Sequence, residues 1–175
     1  MIFLLRRFAP AAVLAAGLAL SLSLAGCATP AGIVAGTTDQ QIIAKFGQPT
    51  VRYELPDGRA RLQYMRGLGR VYNVDLDAQG RAVRAEQAFD ESLFPKRIIV
   101  DHWTSEDVRR EYGPPVRIMS VHNFDGKIWV WRYNDVMYGP RLLYIDIDPG
   151  GIVRGYSLAD DRPDFVGGGG RGGHR

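Results

Sequence analysis

The sequence predicts an α+β fold of two tandem units, each a short helix packed on a three- to four-stranded antiparallel meander. Three observations predict it. A capped-helix pattern occurs twice, at Thr38–Pro49 and Thr104–Pro115. Each is followed by runs that alternate polar and apolar positions between turn signals. Single positions also correspond: Leu62-Gln63-Tyr64 matches Trp131-Arg132-Tyr133, and Asp75-Leu76-Asp77 with Gly80 matches Asp146-Ile147-Asp148 with Gly151. The offset grows from 66 residues at the helices to 71 at the last turn, as insertions in surface turns produce.

The amino terminus gives an address. Arg6 and Arg7 precede an apolar stretch from Ala11 to Leu24, which ends in Leu24-Ala25-Gly26-Cys27. This is a secretory signal pattern covering 1–26. The run falls short of the ~20 residues a membrane span needs, and Pro10 stands at its start. Its ending resembles the lipobox of bacterial lipoproteins, in which the thiol takes a diacylglyceryl group and cleavage leaves the cysteine first. The resemblance implies lipidation at Cys27 and anchoring in lipid. Residues 27–36 carry no charge and read as a flexible, lipidated spacer.

The first unit spans 37–97. Thr38 and Gln41 have capping-box spacing, Ile42 and Phe46 fall on one face, and Gly47 and Pro49 stop the helix. Strands follow at 51–55, 60–65, 71–76 and 81–89, with turns at Pro56-Asp57-Gly58 and Asp77-Ala78-Gln79-Gly80. The second unit spans 98–158. Its helix starts at Thr104, presents Val108 and Tyr112, and stops at Gly113; strands follow at 116–123, 128–133, 142–147 and 152–158. Phe124-Asp125-Gly126-Lys127 reads as a turn, and Ser92–Val100 as a packed connector with edge-strand character. Residues 159–175 lose all pattern and read as a disordered, glycine-rich tail.

Helices this short must dock on a sheet to persist. That places Ile42, Ile43, Phe46, Val108 and Tyr112 in the core against Leu62, Tyr64, Val74, Leu76, Trp129, Trp131, Tyr133, Ile145 and Ile147. The opposite faces then carry Arg61, Gln63, Asn73, Asp75, Arg132, Tyr144 and Asp146 as a polar surface open to a partner.

The formal charge is +3, but losing Arg6 and Arg7 from 22 basic side chains leaves 20 against 19 acidic ones. Such balance gives no electrostatic footprint for nucleic acid. One cysteine forms no internal disulfide. His102, His122 and His174 are scattered without zinc spacing, and the Asp75/Asp77 and Asp146/Asp148 pairs read as strand-to-turn signatures in preference to calcium ligands. There is no Gly-x-Ser-x-Gly, His-Glu-x-x-His or phosphate loop, and Glu54, Glu86 and Glu91 have no partner visible in the sequence. The expectation is a protein with no catalytic residue, cofactor or metal.

With a lipobox, a Thr-x-x-x-(Ile/Val)-x-x-x-(aromatic)-Gly-x-Pro helix and an aromatic-rich meander with an Asp-x-x-Gly turn, the chain resembles the SmpA/OmlA (BamE-like) family of outer-membrane lipoproteins. The repeated unit is also similar to the halves of the β-lactamase inhibitory protein fold. The resemblance implies a non-enzymatic lipoprotein at the periplasmic face of the outer membrane, supporting outer-membrane protein assembly through contacts with an envelope protein. Ala28, following the cysteine, fits outer-membrane sorting. Tyr138, Arg141, Tyr144 and Arg132 are the expected partner contacts, with Tyr138 and Tyr144 as aromatic anchors. An inhibitor-like module for a soluble periplasmic enzyme is the alternative, and an envelope hydrolase stands behind it.

Overall fold

The computed structural model of the protein describes residues 29–67 and 69–161. The signal segment, the acyl acceptor Cys27 and 162–175 of the tail lie outside the described residues. The fold is α+β, with two four-stranded antiparallel sheets. The first sheet holds β1 (Val51–Glu54), β2 (Ala60–Met65), β3 (Val71–Leu76) and β4 (Ala82–Gln87), preceded by α1 (Asp39–Phe46). A connector with a short helix α2 (Phe94–Arg97) leads to α3 (Ser105–Tyr112). The second sheet holds β5 (Arg117–Val121), β6 (Phe124–Asp135), β7 (Gly139–Ile147) and β8 (Val153–Asp160). Both sheets follow chain order.

The two long helices are bounded by the same chemistry. Thr38 Oγ1 accepts from the Gln41 N–H at 3.3 Å while Gln41 Oε1 accepts from the Thr38 N–H at 3.0 Å. Thr104 and Asp107 make the same reciprocal pair, at 3.2 and 2.9 Å. Each box satisfies backbone donors that the first turn leaves unpaired. At the other ends Gly47 and Gly113 take φ of 80° and 71°, a region that disfavours a Cβ, and each N–H reaches back to the carbonyl four residues earlier. The starts are also tied to equivalent turns: Asp39 N donates to Gly80 O and Ser105 N to Gly151 O, beside single bridges Thr38–Arg81 and Thr104–Ile152. The repeat is therefore visible atom for atom.

The helices dock differently. On one face of the first sheet, Ile42 of α1 packs into a buried cluster with Ala60, Leu62, Tyr64, Tyr72, Val74, Leu76 and Ala82. Val108 and Tyr112 of α3 pack instead on the second sheet, among Trp129, Trp131, Tyr133, Leu143, Ile145, Ile147 and Val153. The other side of α3 lies on the first sheet. Gln63 Nε2 donates to Arg110 O at 3.0 Å, Asn73 Nδ2 to Glu111 O at 2.8 Å and Arg61 Nη1 to Arg110 O at 3.3 Å. Carbonyls at a helix end carry partial negative charge and need donors, which these strand side chains supply. The layers thus run α1, first sheet, α3, second sheet.

This arrangement corrects the expectation that both polar sheet faces are open. Gln63 and Asn73 are buried, and Arg61 and Asp75 are largely covered, because the first sheet's polar face is where the second unit docks. Ile43 and Phe46, placed in the core from the sequence, are only half-buried; Phe46 still packs against the cluster around Ile42.

Other expectations are also revised. The connector forms no edge strand: Glu91–Leu93 makes a 3-10 turn and runs into α2, whose Phe94 is fully buried against Tyr112 and Tyr133. Phe124–Lys127 is not a turn but the start of β6, with Val121 paired to Phe124. Gly126 sits in that strand because a Cβ there would come within 2.4 Å of Ile147 O. Residues 159–160 complete β8 opposite Leu142 and Arg141, since the longer β6–β7 hairpin offers a longer edge to pair with. The segment 30–36 does not hang free. Pro30–Gly32 forms a buried-ended 3-10 turn over β3 and β4, and Ala31 and Ile33 pack on the first core.

Candidate functional site

Two features stand out from the sheets: a closed ring of charges where α3 meets the first sheet, and the outer face of the second sheet. In the ring, Asp75 binds Arg61 (2.6 Å) and Arg84 (2.8 Å), Glu86 binds Arg84 (2.8 Å) and Arg97 (2.5 Å), and Glu111 binds Arg97 (3.2 Å) and Arg61 (2.6 Å). Three strands' worth of side chains, the connector and α3 are joined by one alternating circuit. It borders a cleft of about 280 Å³ that Leu55, Trp103, Asp107 and Arg110 complete.

Burial alone would raise the Asp75 carboxyl, but the Arg61 and Arg84 guanidiniums outweigh it and hold Asp75 below the usual carboxylate range. Burial likewise opposes the charge on Arg61, and Asp75 and Glu111 reverse that. A carboxylate held low and bonded twice is a poor general base near neutrality. The ring's evident work is to fix the second unit on the first.

The residues expected to meet a partner do not share one surface. Arg132 pairs with Leu142, and Tyr144 with Val130, on the outer face of the second sheet, away from α3. Every helix and 3-10 turn of the described chain lies elsewhere, so this face carries no second layer. Arg132 is held to Asp161 by an ion pair, and Tyr144 is half-buried among its strand neighbours. Arg141 pairs with Tyr133 on the inner face, where its Nε donates to Glu91 Oε1 at 2.8 Å and a further ion pair joins it to Asp160. Tyr133 Oη donates to the same Glu91 oxygen at 2.6 Å, and burial together with Glu91 pushes the phenol pKa up. Tyr138 stands at the β6–β7 tip, 62% exposed, with the Arg141 guanidinium 5.5 Å from its ring centre.

Sequence reasoning missed Glu91 and Glu111 as organising residues. Arg141 and Arg61, which they bind, each lie 50 residues away, and no local spacing signals that. The Asp pairs act locally: Asp77 Oδ1 accepts from Gln79 N and Arg81 N, and Asp148 Oδ1 accepts from Ile152 N. His102 and His122 are exposed in separate loops, and His174 lies outside the described residues.

No family model matches the chain, and no curated protein matches it in sequence. This corrects the assignment to the SmpA/OmlA family and the likeness to the β-lactamase inhibitory protein fold: a short helix motif and an aromatic meander recur too widely to define membership. Among solved structures the chain is similar to a DUF4309 family protein (YjgB) from Bacillus subtilis, at 17% identity over 70% of this chain and 78% of that one, with a TM-score of 0.30. It is also similar to an extracellular SCP-domain protein from Bacillus anthracis (17% identity, 72% of this chain, TM-score 0.27) and a cysteine-rich secretory protein from Staphylococcus aureus (15%, 72%, 0.24). The chain covers 44% of each of the last two. At these TM-scores no property passes from those proteins to this one.

Proposed function

We propose that the protein is a lipid-anchored, non-catalytic binding module of the cell envelope, tethered through Cys27 at the periplasmic face of the outer membrane and docking an envelope protein on the outer face of its second sheet. The address rests on Leu24-Ala25-Gly26-Cys27 and the Ala28 that follows. The observation that carries the binding role is the uncovered outer face itself. Three of the four sheet faces are layered with helices, while the one bearing Ile128, Arg132, Leu142 and Tyr144, with Val130 itself buried, has none among the described residues. It mixes apolar area, an aromatic ring and a cation, the composition from which interface hot spots are built.

The test is site-specific photo-cross-linking in intact cells from Tyr144 and Arg132, with Asp75 as the covered control, read by mass spectrometry. One envelope protein captured from both outer-face positions and not from Asp75 supports the reading. Capture from none of them overturns it. The tether is tested by acyl labelling, which Cys27→Ser abolishes; label that persists in that variant refutes the anchor.

A further inference from the structure

The hydrogen bonds of the two units fix which residues correspond between them. Tyr64 Oη donates to Gly47 O, just past α1, and Trp131 Nε1 donates to Gly113 O, just past α3. Tyr64 of β2 therefore corresponds in space to Trp131 of β6 and not to Tyr133. The turns that hold the helix starts match Gly80 with Gly151, and so Asp75 with Asp146. Strand register agrees: Arg61 lies opposite Asp75 as Ile128 lies opposite Asp146, and Gln63 lies opposite Asn73 as Val130 lies opposite Tyr144.

The first sheet's polar face is where α3 docks. Its counterpart is the outer face of the second sheet, and the counterpart of α3 is α1, whose Gln40, Gln41, Ala44 and Lys45 are exposed. From this correspondence we infer that the outer face takes α1 of a second copy of the chain, as the first sheet takes α3. The inference rests on the outer-face docking proposed above and names its partner.

The charges of the two surfaces have changed together. In the internal contact Glu111 of α3 is joined to Asp75 through Arg61, which lies 2.6 Å from each. Ile128 stands in the place of Arg61 and Lys45 in the place of Glu111, while Asp146 keeps the acid of Asp75. The middle cation is gone and the helix residue has reversed sign with it, so Lys45 of one copy meets Asp146 of the next directly. Neither makes an ion pair among the described residues, and Asp146 is half-buried. Arg84 and Glu86, joined at 2.8 Å, give way as a pair to Gly155 and Ser157. Arg110, 6.0 Å from the Tyr53 ring centre, gives way to Ala44, and Tyr53 to Met119, so an apolar pair replaces a cation on a ring.

Tyr144 also keeps a donor where Asn73 serves the Glu111 carbonyl. Val130 supplies none where Gln63 serves Arg110 O, so the contact between copies is weaker than the internal one. Each copy offers one face and one helix, a heterologous contact through which copies add head to tail.

A photo-cross-linking residue at Gln40, on the rim of the contact, tests this in the full chain in intact cells. The expected product has twice the mass of the chain and joins the α1 peptide to a peptide of the second sheet. Lys45→Glu and Asp146→Lys, each alone, are expected to lower its yield about tenfold by setting like charges against each other. Expressing the two variants in one cell is expected to restore it, since each carries the charge that the other requires, and restoration also shows that both are folded. Absence of a two-copy product, a link to any other part of the chain, a yield unmoved by the reversals, or a mixture that stays as low as the single variants overturns the inference. Capture of a different envelope protein from Tyr144, with no two-copy product from Gln40, overturns it too and leaves the outer-face reading standing.

Discussion

Arg61 Nη1 lies 2.6 Å from Glu111 Oε2, so a central strand of the first repeat and the helix of the second share a buried ion pair. Their side chains are 11% and 6% exposed, too covered for solvent to screen the contact as it does a surface pair. Arg61→Met leaves Asp75 and Glu111 each short of one guanidinium in a desolvated place. It is expected to cost about 3 kcal/mol in urea denaturation, and the Arg61→Met/Glu111→Gln double variant less than the sum of the two singles.

The ring also fixes the response to acid. Asp75 has its folded pKa held below the ordinary carboxylate value, so its contribution is fully present above that value and is lost as pH falls through the folded pKa. Urea midpoints measured downward from pH 6 are expected to fall below about pH 4 in the native chain. Asp75→Asn is expected to be less stable at neutral pH and to show a shallower acid decline.

Two buried tyrosines separate hydroxyls that help from hydroxyls that do not. Tyr133 Oη donates to Glu91, whereas Tyr112 Oη is buried with no hydrogen-bond partner among the described residues. Tyr133→Phe is expected to lose about 1–2 kcal/mol, and Tyr112→Phe to be neutral or to gain about 1 kcal/mol, both read as shifts in thermal midpoint.

The capped helices, the eight strands and the tandem arrangement were legible because each is set by local pattern: Thr38 with Gln41, glycine at both helix ends, and alternation along the strands. The stacking order was not. Nothing near Gln63 or Asn73 says that their amides cap a helix nearly 40 residues or more downstream, and a polar strand face awaiting a helix end reads the same as one awaiting water. Gly126 misled for a related reason: a glycine needed for close backbone approach looks like a turn glycine until its neighbour across the sheet is known. Of the expected contact residues, Tyr144 and Arg132 lie on one open face, while Arg141 turns inward to Glu91, which only the long-range register decides.

The two sheets approach closely at Gly69, whose φ is 66° and whose added Cβ would lie 2.6 Å from Arg132 O. Gly69→Ala must strain the turn or part the sheets. A loss of about 3 kcal/mol or more is expected in chemical denaturation, against about 1 kcal/mol for Gly67→Ala, whose φ of 80° is strained for alanine but where no atom lies within 4 Å of the added carbon.

The two repeats form one body through α3, which lies between the sheets. Pulsed hydrogen exchange through a urea series, read by mass spectrometry on peptides of β2–β3 and of β6–β7 in the same samples, tests it most directly. A single shared midpoint is predicted. Loss of protection in β2–β3 at urea concentrations where β6–β7 stays protected, or the reverse, would contradict it.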